Sequence, residues 1–318
     1  MQLVLYPVLY TMVTSIKKGT MKLVLTMMLL VGVASSQPAA PKPLIIDYVS
    51  ANISSPPELI VTKLKLDTFY KKYTDAGGIP ILSSEKVPDA ALLVARDIVN
   101  HMLFKRPDVR AALIEKNWRI GVMAQTEMTT DIPEMRNWKK PAPTAGNLTA
   151  GEKANYDRIA KMTDKEYWDN RARGMGGNPT TCAEENLLGY YGTKYYGENI
   201  FVHEFSHAIL GGGIRSVDPK MYEEVRQAYK DSMAAGRWKG QYGETNMNEY
   251  WAEGTQTWFY SNYEFTSGGR LIKTPQDLSE YDPKLYELLG RIYADHHIPM
   301  DVFHGREIKP RARPQAGQ

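Results

Sequence analysis

Cysteine is almost missing from this chain, with Cys182 as its single representative. One thiol excludes an internal disulfide framework, and it excludes a thiolate zinc cluster within one chain. We expect Cys182 to be a partly buried, unpaired thiol that plays no part in chemistry. Charge of one sign is lacking too. A net charge of +3 spread over 318 residues provides no basic stripe for a phosphate backbone, so nucleic acid is not an expected partner. No apolar run reaches the ~20 residues that cross a bilayer; the stretches 3–13 and Leu23–Ala34 both fall short, and Lys17 and Lys18 separate them. There is no internal repeat and no long low-complexity tract. What remains is an ordinary globular composition, 43% hydrophobic and 24% charged, enough to build the core of one large domain or two smaller ones.

The N-terminus reads as a targeting segment. Met21-Lys22 precedes the apolar run Leu23–Ala34, and small residues follow at Ser35-Ser36. This is the pattern of a secretory signal cleaved after Ala34 or Ser36. We take Met21 as the working start and residues 1–20 as an upstream extension, with a signal anchor from Met1 as the alternative. Secretion to the extracellular space is the expectation, with no stable membrane span in the mature chain. Asn52-Ile53-Ser54 and Asn147-Leu148-Thr149 fit the glycosylation acceptor pattern and agree with it. Residues 37–56 open on Gln-Pro-Ala-Ala-Pro-Lys-Pro and are expected to be an extended, Pro-rich spacer.

Beyond the spacer, residues 57–73 are expected to form a strand followed by a helical turn, and Gly77-Gly78 a break. From Pro88-Asp89 to about Phe104, Ala91, Leu92, Ala95, Ile98, Val99 and Met102 recur at helical spacing. Pro107 restarts the chain into a short helix ending near Asn117, and 118–124 alternates as a strand does. His101 lies in the first of these helices without partners and reads as structural. Residues 125–148 are loop-like. Thr149 and Glu152 have the spacing of a capping box that opens a helix to about Lys161. Gly174-Met175-Gly176-Gly177-Asn178-Pro179 is a flexible connection, either a cleft-edge loop or a linker. Tyr190, Tyr191, Tyr195 and Tyr196 crowd the segment that follows, with aromatic packing favoured over substrate contact.

The centre of the chain is 198–210, which contains His203-Glu204-Phe205-Ser206-His207 without Gly or Pro and with apolar residues at 201, 205, 208 and 209. On a helix His203 and His207 sit one turn apart on one face, so both imidazoles can hold one metal ion. Glu204 lies about 100° round the helix and can reach a water on that metal. A bound zinc ion lowers the pKa of such a water from about 16 to about 7, and the glutamate accepts its proton. Gly211-Gly212-Gly213 is expected to stop the helix. Asp218-Pro219 then opens another, which ends at Gly236.

Two His do not complete a site. Downstream, Glu249 and Glu253 lie four apart on a helix expected over about 246–260. One carboxylate can complete a tetrahedral set and the other can stand behind a ligating imidazole. The Asn248-Glu249 and Glu253 pattern is similar to that of thermolysin-type gluzincins. The segment Tyr242, Gly243, Thr245, Asn246, Glu249, Tyr250, Trp251, Ala252, Glu253, together with His203-Glu204-Phe205 and His207-Ala208, more closely resembles the lethal-factor-like zinc metallopeptidases, over roughly residues 195–260. The resemblance implies His203, His207 and Glu249 as ligands of one Zn²⁺, Glu204 as general base, Tyr242 as the phenol facing the oxyanion, and Glu253 as the group behind an imidazole. It also implies an α+β, zincin-like fold. The expected organisation is a single domain over 57–318, with 57–180 as the supporting half and 181–318 as the zinc-site half.

The expected function is a secreted zinc endopeptidase acting on a peptide or protein substrate. The alternatives are a zinc hydrolase of another amide or an ester, and a non-catalytic binding protein on the same scaffold. His296-His297 is read as surface or cleft-rim, because adjacent side chains do not share a helix or strand face.

Overall fold

Short extended segments between amphipathic helices fold into an α+β arrangement in the computed structural model, which describes residues 53–146 and 148–298. The leader, the spacer through Asn52 and both acceptor asparagines lie outside the described residues. Ser54 exchanges two backbone hydrogen bonds with Tyr73, so the end of the expected spacer joins the folded unit.

Residues 57–73 reverse the expected order. A helix comes first (α1, Glu58–Leu64), and the strand follows (β1, Lys72–Asp75). Pro57 precedes the helix with φ −58° and Glu58 sits in its first turn, while Lys65 closes it in the left-handed region. α1 buries no residue, so end signals rather than a core stripe define it. Gly77 and Gly78, at φ +64° and +95°, form the turn to β2 (Pro80–Ser83), which pairs antiparallel with β1. α2 (Asp89–Met102) buries all six residues named above for its apolar face. α3 (Pro107–Glu115) leads to β3 (Ile120–Met123), parallel to β2 with Ile81 opposite Ile120.

The Thr149–Glu152 capping box forms both of its hydrogen bonds, at 3.1 and 2.8 Å. The helix it opens breaks at Asn155 into α4 (Ala150–Ala154) and α5 (Tyr156–Lys161). A second box, Thr163 with Glu166, opens α6 (Asp164–Arg171). Then β4 (Thr180–Ala183) adds to β3 in parallel and completes a sheet ordered β1-β2-β3-β4. Cys182 lies on β4, fully buried and unpaired. β2, β3 and β4 are buried at every position, the condition of strands covered on both faces.

After α7 (Glu184–Leu187) comes α8 (Ile200–His207), the helix of the two His. Its expected end at Gly211–Gly213 is not observed. The chain stays helical with a wider, π-type turn over Ala208–Ile214 and runs into α9 (Arg215–Val217). The glycines serve packing instead of termination. A Cβ on Gly212 would stand 2.7 Å from Trp118, and one on Gly213 would stand 2.4 Å from Val109. Their bare backbone lets α3 press directly against this turn.

Asp218 caps α10 (Pro219–Ala234) by accepting from Met221 N–H at 3.1 Å, and Gly236 follows at φ +73°. α11 (Met247–Trp258) carries the two glutamates. A hairpin of β5 (Phe265–Ser267) and β6 (Arg270–Ile272), then α12 (Pro275–Tyr281) and α13 (Pro283–Ile292), complete the described chain. α8 packs against β4, α2 and α11, while α11 also touches α10, α12 and α13. The site therefore lies between the sheet with its helices and the C-terminal helices.

Candidate metal centre

The start of α8 is held by asparagines. Asn199 Oδ1 accepts from Val202 N–H at 3.2 Å, and Asn186 Oδ1 accepts from Ile200 N–H at 2.8 Å while its Nδ2 donates to Glu198 O at 2.8 Å. With Phe201, Val202 and Phe205 fully buried, the helix cannot rotate, and the opposite face presents His203 and His207. α11 begins on Asn246, whose Oδ1 accepts from Asn248 and Glu249 N–H at 2.9 and 3.1 Å. That cap sets Glu249 in the first turn, facing α8.

The three expected ligands converge. His203 Nε2 lies 3.0 Å and His207 Nε2 3.5 Å from Glu249 Oε2, and the three atoms lie within 4.8 Å of one another. Two ligands about 2.1 Å from a tetrahedral ion stand about 3.4 Å apart, so the separations fit one such ion. Among the described residues no other group of three His, Cys, Asp or Glu meets this condition.

The chemistry of the donors also fits. Gln256 Nε2 donates to Glu198 Oε2 at 3.2 Å and to Asn199 O at 3.0 Å. Its Oε1 therefore points at His203 Nδ1, 2.9 Å away, and Nδ1–H must be the donor. In a neutral ring this leaves the Nε2 lone pair as the one that could hold a metal. Two neutral imidazoles would aim lone pairs at a carboxylate, an arrangement that needs a positive charge among them. In the metal-free protein a proton fills that need. Desolvation of buried His203 acts to lower its pKa, but the Glu249 hydrogen bond and the charges of Glu204, Glu249 and Glu253 outweigh it and push the ring up to about 10.

Glu253, expected behind an imidazole, has Oε1 3.8 Å from His203 Nδ1, and its Oε2 accepts from Asn262 Nδ2 at 3.1 Å. Gln256, nearly one turn further along α11, makes the closer contact. Sequence reading passed over Gln256, although it lies seven residues after Glu249 on the same helical face.

Glu204 stands beside the triad. Desolvation raises its carboxyl, His203 and His207 pull it down, Glu249 raises it, and a hydrogen bond from Gly176 N–H pulls it down again. The connection 174–179 thus lies against the triad and Glu204. Met175 pairs with Thr181 of β4. A Cβ on Gly174 would come 3.4 Å from Glu204 Cγ, and one on Gly176 3.2 Å from His207 and 3.3 Å from Glu204 Oε2.

Tyr242 lies in a single 3₁₀ turn just before α11, with its ring 6.1 Å from that of His203. Desolvation and Glu249 raise its phenol, Arg171 lowers it, and Glu204 and Glu253 raise it further; the net shift is upward, so the hydroxyl is a donor at neutral pH. Of the four crowded tyrosines, Tyr191 is not packed as expected; it is 88% exposed, edge-on to Tyr196 at 5.1 Å. Gly192 beside it takes φ +74°, so the turn projects the ring outward. His101 pairs with Asp295 at 2.9 Å. His296 packs tilted against Trp258 at 4.1 Å, its Nδ1–H donates to Trp258 O at 3.1 Å and its Nε2 meets Tyr286 OH at 3.2 Å, while His297 is exposed. No family model, curated protein or solved structure matches this chain.

Proposed function

We propose that the protein is a secreted zinc-dependent endopeptidase of gluzincin type on a zincin-like scaffold, similar to the lethal-factor-like peptidases. The observation that carries this reading is the convergence of His203, His207 and Glu249, with Glu204 and Tyr242 at the same point. His203, His207 and Glu249 would hold the Zn²⁺. When bound, the ion supplies Lewis-acid polarisation of the scissile carbonyl and acidification of water.

The remaining work falls to side chains of this chain. Glu204 accepts the proton of the attacking water and returns it to the leaving amine. Desolvation raises its carboxyl and so strengthens it as a base, while the neighbouring imidazoles and the Gly176 N–H partly oppose that shift. Tyr242 donates a hydrogen bond to the oxygen that gains charge, a contribution of about 3 kcal/mol in comparable sites. Gln256 holds the His203 ring in the coordinating tautomer. The absence of side chains at Gly174 and Gly176 lets the chain's own backbone press against Glu204 and His207.

The test is incubation of the purified protein with a mixed peptide library, with and without chelator. Chelator-sensitive cleavage is expected. Glu204→Gln is expected to keep its zinc and lose about 10²–10⁴-fold in kcat. Near-normal turnover by that variant would remove Glu204 from its assigned role.

A further inference from the structure

Cations on the rim of the centre are incompletely matched by carboxylates. Three lie close in sequence or space: Arg171 at the end of α6, Arg173 just beyond it, and Lys194 in the tyrosine-rich segment. Arg173 is buried and fully engaged, with Glu185 accepting two hydrogen bonds at 2.7 and 3.1 Å. Arg171 differs. Its Nε donates to Glu152 Oε1 at 2.9 Å, and no second carboxylate pairs with it among the described residues. Glu152 is shared, since Tyr167 OH donates to the same oxygen at 2.8 Å and Thr149 N–H to the other at 2.8 Å. Trp168 lies under the guanidinium at 5.7 Å and holds its plane, and about a quarter of the Arg171 side chain is open to solvent.

Lys194 pairs with no carboxylate at all among the described residues. Its ammonium donates to the carbonyls of Asn170 and Arg171 at 2.8 and 2.7 Å, closing the C-terminus of α6. The ammonium is thereby held at the backbone from which the Arg171 side chain departs.

Their place near the centre follows from the chain path. Three residues after Arg171 comes Gly174, which lies against Glu204, and Gly176 donates to that carboxylate. Arg171 also acts on Tyr242 and Tyr195, the second of which neighbours Glu204 as well. Arg171 thus stands three residues from the backbone that contacts Glu204, and its charge is felt at Tyr242. A planar fork matched by a single carboxylate, with the Tyr167 hydroxyl beside it, is suited to taking a second carboxylate from a ligand. Desolvation foremost, with the charges of Arg171 and Arg173, lowers Lys194 to about 8, and an added anion offsets the charge part.

We propose that Arg171, backed by Lys194, is a carboxylate-recognising subsite on the rim of the metal centre. The peptide substrate then carries either an acidic side chain or its own C-terminal carboxylate close to the scissile bond. The position of this subsite in a reaction rests on the peptidase reading, whereas its capacity to bind does not.

One fluorescein-labelled peptide, made with Glu or Gln at its centre and with a free or amidated C-terminus, gives four probes for binding to Glu204→Gln protein by anisotropy. In parallel, the mixed library is digested by the wild type and its cleavage sites mapped by mass spectrometry. One carboxylate form is expected to bind about 10–100-fold more tightly than its neutral counterpart, and the winning pair identifies the source. Arg171→Gln is expected to erase that ratio at unchanged zinc content, Arg171→Lys to retain part of it, and Lys194→Gln to reduce it. If Arg171→Gln does not fold, the other two variants decide in the same way. Cleavage without a carboxylate preference, or a preference that survives loss of Arg171, overturns the subsite and leaves the peptidase reading intact. Absence of any cleavage, with carboxylate-selective binding abolished by Arg171→Gln, keeps the subsite and overturns the peptidase reading. Neither cleavage nor selective binding overturns both.

Discussion

Two inward-facing carboxylates contact α11 or stand on it, and they are held in opposite ways. Asp282, between α12 and α13, is 1% exposed. Its Oδ2 accepts from Ser232 Oγ at 2.6 Å, Tyr250 OH at 2.9 Å and Trp238 Nε1 at 3.0 Å, and its Oδ1 from Leu285 N–H at 3.3 Å. Every partner is a neutral donor, and the protein alone completes the set. Glu249 meets two imidazoles, one of which has its far nitrogen committed to Gln256. Its set is complete only when a proton or a metal ion is added. A buried carboxylate surrounded by N–H and O–H groups thus fastens helices together, whereas one surrounded by nitrogen lone pairs waits for a cation. Asp282 nevertheless serves the site, because Trp238 lies beneath Gly243, 2.8 Å from where a Cβ would stand, and so supports the turn of Tyr242.

Exchanging the losses tests this contrast most strongly. Glu249→Ala is expected to abolish metal retention after dialysis while changing the denaturant midpoint of the metal-free protein little. Asp282→Ala leaves several buried donors without an acceptor and is expected to cost about 3–5 kcal/mol by denaturant unfolding, with metal retained in the folded fraction. Similar stability losses in the two variants would erase the distinction. Next in size, Tyr242→Phe is expected to lower kcat by about 10²–10³-fold with zinc content unchanged. Gln256→Leu is expected to weaken zinc binding by about 10–100-fold in a competition titration against a chelator. The smallest change is assigned to Glu253→Ala, because its oxygen is 3.8 Å from Nδ1 whereas that of Gln256 is 2.9 Å away. If Glu253→Ala proved the more damaging of the two, Glu253 would be the principal support of the imidazole.

The elements visible in the sequence are those with a strong local signal. α2 announces itself because a single face meets the core, and α10 because Asp218-Pro219 encodes its own start. β2 and β4 escape because four residues buried on both faces show no alternation. The Gly211–Gly213 run misleads for a related reason. Glycine marks helix ends through its backbone freedom, yet here its missing side chain admits Trp118 and Val109, and that is a tertiary fact. The two His and the glutamates could be read from spacing, since ligands on helices must share a face. Gln256 has the right spacing as well, but an amide carries no metal signature. The approach of Gly174–Gly176 to Glu204 depends on pairing with β4, and the part proposed for Arg171 on how α6 meets the tyrosine-rich segment. Both are long-range relations without a local pattern.

The Gln256 amide has a further consequence, in spectroscopic terms. With its NH₂ committed to Glu198 and Asn199 and its carbonyl oxygen committed to His203, it cannot turn over. The Nδ1 proton of an imidazole 4% exposed is therefore sealed from solvent on both sides of its hydrogen bond. Such a proton exchanges slowly enough to give its own nuclear magnetic resonance line, well apart from the amide envelope. That line would persist whether the coordinating nitrogen is metallated or protonated and would shift between the two states, so a single atom reports from inside the protein on what occupies the centre.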